Sequence, residues 1–137
     1  MTVIVDASVA VKWLIKEEGS GSAKRLIAEE MLASPELLFI ECANVLRTKR
    51  RRGDLTDEFV REAFAILDDV PIRSIAIRQH IAAAYAIATE LDRSAYDSLY
   101  LAVALAERAT LVTADAKFAA AVHSHPIYRD SLSLLRE

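Results

Sequence analysis

The chain has 137 residues, a length that predicts one domain with a substantial core. Apolar residues make up 53% and charged residues 27%, which argues against disorder. The net charge of −3 gives no general attraction to nucleic acid, so such a partner must be held by a local basic patch or through metal ions. The lone cysteine, Cys42, excludes an internal disulfide and is expected to be a small core residue of a protein in a reducing compartment.

The N-terminus, M-T-V-I-V-D, lacks a basic segment and a long apolar stretch. Nowhere do about 18 apolar residues follow one another, as a membrane helix requires. We therefore expect a cytoplasmic protein without a membrane segment.

Short apolar runs and helical patterns alternate along the chain. Continuous apolar runs of three or four residues are typical of buried strands, and Gly, Pro and N-cap residues mark the limits of the helices. The predicted elements in chain order are a strand at 3–5, a helix at 7–15, a helix at 23–32 after the G-S-G-S break, a helix from Pro35 to Gly53, a helix from Thr56 to about Asp69, an edge strand at 71–75, helices at 78–91 and 95–108, a strand at 110–113, a helix at 116–122, and a last short strand near Ile127 and Tyr128.

This alternation predicts one α/β domain over residues 1–137, with a central, mostly parallel sheet and helices on both faces. The carboxyl ends of parallel strands lie along one edge of such a sheet, and ligands bind in the crevice there. Asp6 directly follows the first strand, and Asp115 comes two residues after the strand at 110–113. If these strands are neighbours, both carboxylates open into one crevice.

Two further acids are conspicuous. The helix around L-L-F-I-E-C-A-N-V-L is apolar almost all the way round, which predicts that it is largely buried. Its exceptions, Glu41 and Asn44, are three residues apart and share a face. A buried glutamate needs a cation, a hydrogen-bonding network or a water-filled pocket. In S-A-Y-D-S-L-Y, Asp97 stands three residues after the N-cap residue Ser94, in the first turn of a helix.

Each acid also has a purely structural interpretation. Asp6 suits a turn between strand and helix. Asp115 suits the N-cap of the helix that follows it, and Asp97 suits a capping box with Ser94. Glu41 is the hardest to explain in this way, because its neighbours in the sequence are so apolar.

Together, four motifs carry a resemblance to a known family. They are V-I-V-D-A-S at the N-terminus, E-C-A-N-V-L a third of the way along, A-Y-D-S-L-Y-L-A-V-A before the last third, and T-L-V-T-A-D-A-K-F near the end. In order, spacing and flanking residues the chain resembles a PIN domain of the VapC toxin type over nearly its whole length.

The resemblance implies a compact α/β fold, cleavage of RNA that depends on Mg²⁺ or Mn²⁺, homodimerisation, and neutralisation by a cognate VapB-type antitoxin. It implies an acidic metal site at Asp6, Glu41, Asp97 and Asp115. The polar positions that support this site in the family fall on Ser8, Asn44 and Thr113. One position departs from the pattern: Ser98 stands where alanine often follows the third acid, and we expect no chemical consequence.

The chemistry of the residues agrees with these implications. Mg²⁺ takes oxygen ligands, few of them carboxylates, and keeps several waters. The absence of His and Cys from the set disfavours zinc. We expect Asp6 and Asp97 to contact metal directly, and Glu41 and Asp115 to act through water or as proton acceptors. Ser8 and Thr113 are expected to orient a carboxylate rather than to attack, because no histidine base accompanies them.

Other conspicuous residues have simpler interpretations. The basic run R-T-K-R-R-R at 47–52 suits a solvated helix end, while contact of Arg50, Arg51 and Arg52 with RNA or antitoxin is the alternative. H-S-H-P at 123–126 is expected to be a surface turn, and Trp13 to belong to the core or a dimer interface.

Two other classes of protein remain open at this stage. One is a PIN-like binding module without catalysis, which a missing acid would have favoured. The other is a receiver-type domain that binds Mg²⁺ and accepts phosphate. A receiver needs adjacent acids after its first strand and a lysine after a late strand, whereas Asp6 stands alone.

Overall fold

Five strands and seven α-helices alternate along residues 1–136, the part of the chain that the structure, a computed structural model, describes. The elements are β1 Thr2–Val5, α1 Ala7–Leu14, α2 Ser20–Glu29, β2 Met31–Pro35, α3 Leu37–Arg51, α4 Asp57–Asp69, β3 Ile72–Ile75, α5 Ile81–Leu91, α6 Ala95–Glu107, β4 Thr110–Thr113, α7 Ala116–His123 and β5 Leu132–Leu134, with 3₁₀ turns at Arg78–His80 and Arg129–Ser131.

All strands are parallel and lie in the spatial order β3-β2-β1-β4-β5. β1 is central, and its Ile4 and Val5 are fully buried because both faces of the sheet are covered. Right-handed crossovers in one direction, from β1 to β3, put α1 to α4 on one face. The connections from β3 to β5 run back in the opposite direction and put α5 to α7 on the other face. The predicted fold class is thus confirmed.

The strand order also distinguishes a PIN-like domain from a receiver-type domain, a class that the sequence left open. Receiver-type domains have the doubly wound order 2-1-3-4-5. The observed order, 3-2-1-4-5, is different, so the receiver interpretation is wrong for this chain.

Helix α6 is the element most completely enclosed by the rest of the fold. Its residues from Ser98 to Ala104 are all buried, and it packs against β1, β2 and β4. On the opposite face, Trp13 of α1 is buried, and its Nε1 donates a hydrogen bond to the carbonyl oxygen of Ala23 at 2.8 Å. Trp13 is therefore a core residue, and Cys42 is buried as expected.

Strand β2 was absent from the predicted elements. The helix predicted over 23–32 lies instead at Ser20–Glu29, after Gly19 with φ of 87°, and M-L-A-S-P forms a strand that pairs with β1 and β3. Pro35 is the last residue of this strand, not the first turn of α3. A five-residue segment of small and apolar residues has no periodicity that distinguishes helix from strand, and its two neighbouring strands decide the outcome.

The position of the last strand was also predicted wrongly. Ile127 and Tyr128 lie in a turn, where Ile127 is exposed and Tyr128 is buried with its hydroxyl donating to Glu90. The strand lies at Leu132–Leu134 and pairs with β4. The other boundaries agree within three residues, and β3 is at the sheet edge as expected.

Helix α3 is half-exposed rather than largely buried. Only Leu38, Cys42 and Leu46 are buried, a stripe at intervals of four residues that faces the core. Ile40 on the outer side is 66% exposed, so the apolar character of this helix serves a surface as well as the core.

The H-S-H-P segment begins at His123, the last residue of α7, and continues into the turn that follows. The His123 Nε2 atom is 2.9 Å from the carbonyl oxygen of Leu132, and His125 lies beside Glu90. Both imidazoles thus have partners within the fold. Among residues 1–136 no helix has the length and apolar character needed to cross a bilayer.

Candidate active site

The two strands whose ends were expected to form a crevice are β1 and β4. These strands are neighbours, and the order of the sheet makes this the point where connections leave in opposite directions. Asp6 caps α1 by accepting from the Val9 backbone N–H, and Asp115 caps α7 by accepting from the Phe118 N–H at 3.0 Å. The N-cap interpretation of Asp115 is therefore correct, and Asp6, interpreted as a turn residue between strand and helix, is also an N-cap. The two turns lie at the same edge of the sheet.

Asp6 is held by a network of hydroxyl groups. The Ser8 hydroxyl donates to Asp6 Oδ1 at 2.5 Å, and the Thr113 hydroxyl donates to Oδ2 at 2.5 Å. Ser8 Oγ also accepts from the Ala114 N–H at 2.8 Å. Thr113 Oγ1 accepts from the Asp115 N–H at 3.1 Å. The two polar residues thus orient Asp6 and bind the β1–α1 turn to the β4–α7 turn.

Burial gives Asp6 unusual acid–base properties. Its residue is only 8% exposed, and loss of solvation raises the pKa of the carboxyl to about 6. The hydrogen bonds from Ser8, Thr113 and Val9 act in the opposite direction, and the negative charge of Asp97 adds a smaller increase. The protein alone therefore compensates only in part for the burial of the charged form of Asp6.

Glu41 projects from α3 toward the same region and is half-buried. The buried Tyr100 hydroxyl donates to Glu41 Oε1 at 2.5 Å. Burial raises the pKa of Glu41, the Tyr100 hydrogen bond lowers it, and the charge of Asp97 raises it. The hydrogen-bonding network that a partly buried glutamate needs is thus supplied by α6.

Asp97 lies in the first turn of α6, whose N-cap Ser94 accepts a hydrogen bond from the Asp97 N–H. This is one half of the predicted capping box. Burial and the neighbouring charge of Asp115 raise the pKa of Asp97, while Arg93 opposes the increase. Two contacts connect three of the predicted acids: the Thr113 hydroxyl donates to Asp6 and accepts from the Asp115 N–H, and Arg93 Nη2 lies 3.7 Å from Asp97 Oδ2 and 3.9 Å from Asp115 Oδ2. Glu41 is connected to the same helix as Asp97 through Tyr100.

A cleft of about 610 Å³ opens beside Glu41. Asn44, one turn further along α3, is exposed and lines it, as do Ile40, Arg47 and Tyr96. The cleft therefore combines an apolar wall with an amide, a carboxylate and a guanidinium group.

The basic run at 47–52 is divided by the fold. Arg47 lines the cleft, whereas Arg50 forms an ion pair with Asp57, with its Nε 2.7 Å from the carboxylate. Arg51 and Arg52 are exposed and line a separate hollow of about 300 Å³ with Thr48. The basic run thus contributes to two surfaces, the cleft beside Glu41 and the separate hollow. Arg47 is the residue of the run that lines the cleft with Glu41.

The four acids provide only oxygen donors, which fits a hard divalent cation such as Mg²⁺ or Mn²⁺. Within residues 1–136 no three Asp, Glu, His or Cys side chains lie close enough together to hold a metal ion as they stand. Mg²⁺ needs just one or two direct carboxylate ligands, because water completes its coordination. Burial is the main cause of the raised pKa values of Asp6, Glu41 and Asp97, and neighbouring carboxylates contribute less, so a bound cation would stabilise the ionised forms of all three.

Sequence reasoning missed two residues of this region. Arg93 lies beside Asp97 and Asp115, and Tyr100 orients Glu41. Tyr100 follows Asp97 by three residues on one helix, so shared-face spacing was an available signal. Arg93 precedes the helix, and only the tertiary structure shows that its side chain reaches Asp115.

Ser98, which was expected to have no chemical consequence, affects the stability of the fold. Its side chain is fully buried, and its hydroxyl has no hydrogen-bond partner, a feature unique among the buried side chains of the described residues. A buried hydroxyl without a partner costs about 1–3 kcal/mol. This serine therefore lowers stability relative to alanine.

The comparisons with known proteins agree with the fold. The model of the PIN domain family matches residues 3–123. The chain therefore belongs to the PIN domain family.

Its relatives within that family include VapC proteins. The chain is 34% identical over 113 residues to Ribonuclease VapC9 of Mycobacterium tuberculosis, which covers 82% of this chain and 85% of that protein. The structure of PAE2754 from Pyrobaculum aerophilum has a TM-score of 0.70 with 24% identity, covering 88% of this chain and 79% of the other. VapBC2 from Rickettsia felis, bound to a DNA fragment from its promoter, has a TM-score of 0.69 with 18% identity, covering 99% and 100%. These structures share the fold.

Proposed function

We propose that this protein is an endoribonuclease that depends on Mg²⁺ or Mn²⁺ and acts as the toxin of a VapBC-type toxin–antitoxin pair. The observation that carries the proposal is the buried Asp6, bound by two hydroxyls at the crevice between β1 and β4, with three further acids around it. The ribonuclease activity of the VapC relatives supports the same reaction. A non-catalytic binding module would not require four acids whose charges oppose one another.

In this proposal Asp6 and Asp97 would hold the cation directly, and Glu41 and Asp115 would hold it directly or through water. When bound, the cation would lower the pKa of a water molecule and would neutralise charge on the phosphate and leaving oxygen. Ser8 and Thr113 fix both oxygens of Asp6, so that its carboxylate is oriented before substrate arrives. These two hydroxyl groups are sufficient to orient the Asp6 carboxylate.

Glu41 is suited to accept a proton from the attacking water. Tyr100 occupies Glu41 Oε1, which leaves Oε2 for the crevice. The raised pKa of Glu41 brings its basicity closer to neutral pH, as general base catalysis favours. Asn44 and Arg47 present hydrogen-bond donors to RNA in the adjoining cleft.

We propose RNA as the substrate, a cognate VapB-type antitoxin as the partner, and a cytoplasmic location. A homodimer is supported by exposed apolar side chains on two helices: Ile81 and Tyr85 share a face of α5, and Ile40 projects from α3. An antitoxin partner is supported by the VapBC2 complex among the structural relatives.

The decisive test is cleavage of RNA by the purified protein. Single-stranded or looped RNA should be cut in Mg²⁺ or Mn²⁺ and left intact in excess EDTA, with activity restored when the divalent cation exceeds the chelator. The Asp97→Asn variant, purified in parallel, controls for contaminating ribonucleases. Undiminished cutting in EDTA, or equal cutting by this variant, would contradict the metal mechanism.

A second test concerns the basic run. If Arg50, Arg51 and Arg52 contact RNA phosphates, their joint replacement by alanine should weaken binding and flatten its salt dependence. Each lost contact lowers the log–log slope by about 0.7 for single strands. Binding measured over a range of KCl concentrations gives the slope, and Arg47→Ala, in the cleft, serves as the comparison. If only Arg47→Ala changes the slope, then Arg50, Arg51 and Arg52 serve the helix end alone.

A further inference from the structure

Arg93 occupies a backbone position that two helix ends determine. Helix α5 ends at Leu91, and Asp92 takes the left-handed conformation with φ of 53°. The Arg93 N–H donates to the Ala88 carbonyl oxygen at 3.1 Å, and the next residue, Ser94, is the N-cap of α6. Because both caps fix the connection, the Arg93 side chain leaves the backbone in a defined direction.

The guanidinium group lies between two of the four acids. Arg93 Nη2 is 3.7 Å from Asp97 Oδ2 and 3.9 Å from Asp115 Oδ2. Its Cζ lies 5.9 Å from the centre of the buried Phe118 ring, a cation–π distance. With 27% of its side chain exposed, the cation is partly withdrawn from solvent.

Arg93 faces Asp115 Oδ2, an oxygen that could bind a metal ion. Asp115 Oδ1 accepts the capping hydrogen bond from Phe118, so Oδ2 is the more available oxygen for a ligand. That same Oδ2 faces the guanidinium group. A divalent cation bound there would meet a positive charge close by.

We infer that Arg93 is an internal counter-ion that shares Asp97 and Asp115 with the catalytic divalent cation, stabilising the metal-free site and weakening cation binding. This inference rests on the proposed metal-dependent function. Arg93 is a positioning residue in the metal-free protein, because it reduces repulsion between Asp97 and Asp115. It also makes occupancy of the site depend on the concentration of free divalent cation.

Replacement Arg93→Gln removes the charge and keeps part of the stem. We expect Mn²⁺ and Mg²⁺ to bind about tenfold more tightly, because a nearby like charge is gone. In EDTA the variant should melt at a lower temperature than the parent, because Asp97 and Asp115 lose their shared cation. Isothermal titration with Mn²⁺ and thermal melts in EDTA measure both effects without reference to activity.

The matched control is Arg73→Gln, which removes the same charge from a surface ion pair with Glu107. Its cation affinity should equal that of the parent. Arg93→Met, which also removes the charge and is the second variant if Arg93→Gln fails to fold, should bind Mn²⁺ as tightly as is expected of Arg93→Gln. Arg93→Lys, which keeps the charge, should bind Mn²⁺ with about the affinity of the parent.

The inference would be overturned if Arg93→Gln bound the cation with the parental affinity, or gained no more affinity than Arg73→Gln does. If Arg93→Gln fails to fold, parental affinity in Arg93→Met would overturn it in the same way. A parent that binds neither Mn²⁺ nor Mg²⁺ contradicts the proposed function itself and the inference with it. A parent that binds the cation and cuts RNA, with Arg93→Gln unchanged in affinity, contradicts the role of Arg93 alone.

Discussion

The Asp97→Asn variant is expected to lose ribonuclease activity by on the order of 10³-fold while it remains folded. The amide keeps the shape of the side chain and leaves the hydrogen bond from the residue 97 N–H to Ser94 Oγ in place. It removes the negative charge that raises the pKa values of Asp6 and Glu41. Without metal the variant should therefore melt at a higher temperature than the parent.

Thermal melts of the parent and of Asp97→Asn, in EDTA and in Mg²⁺, test the expected rise in the melting temperature of the metal-free variant. Binding to the native state alone stabilises by mass action, so Mg²⁺ should raise the melting temperature of the parent and raise that of the variant much less. Asp68→Asn, an exposed change on α4, provides the control and should behave as the parent does. If Asp97→Asn is destabilised in EDTA and responds fully to Mg²⁺, Asp97 is a helix cap only and the four-acid site is wrong.

The parts of the fold that could be predicted from the sequence have strong local signals. V-I-V and T-L-V-T are too short for helices and too apolar for exposed loops, so they indicated β1 and β4. Because both are parallel strands, their carboxyl ends were expected at one edge, and this placed Asp6 and Asp115 in one crevice. The structure makes them ends of neighbouring strands.

The errors occurred where tertiary pairing outweighs local pattern. β2 contains Ala33, Ser34 and Pro35, none of which favours a strand, and it forms because β1 and β3 flank it. β5 likewise depends on pairing with β4. The segment around Ile127 has a more strand-like sequence than β5, but it lies in a turn, and Ile127 is exposed. Periodicity cannot detect a neighbour that lies far along the chain.

The same limit applies to the site. The resemblance identified the acids and their supporting polar residues, but Arg93 and Tyr100 have no motif of their own. Their importance comes from distances between residues that lie 22 and 59 positions apart, as in Arg93 to Asp115 and Tyr100 to Glu41. Electrostatic partners of this kind require coordinates.

The metal-free protein is expected to lose stability as pH rises through about 6, because of Asp6. The folded-state pKa of this carboxyl is raised to about 6 from an ordinary value of 3.8, and burial is the main cause. The native state therefore binds the proton more tightly than the unfolded state does. The resulting stability is fully present below about pH 3.8 and is lost as pH rises through 6, a change on the order of 3 kcal/mol.

Replacement Asp6→Asn removes this titration and retains an oxygen that can accept from Ser8 or Thr113. In EDTA the melting temperature of the variant minus that of the parent should grow by on the order of 10 °C between pH 4 and pH 7. Asp57→Asn should show a small trend of the opposite sign, because Arg50 lowers the pKa of Asp57 and this surface pair stabilises the charged form. Addition of Mg²⁺ at pH 7 should restore the parent toward the Asp6→Asn variant, since a bound cation favours the ionised carboxylate that burial opposes. A difference between Asp6→Asn and parent that stays constant with pH would show that the Asp6 carboxyl titrates in the native state as it does in the unfolded chain.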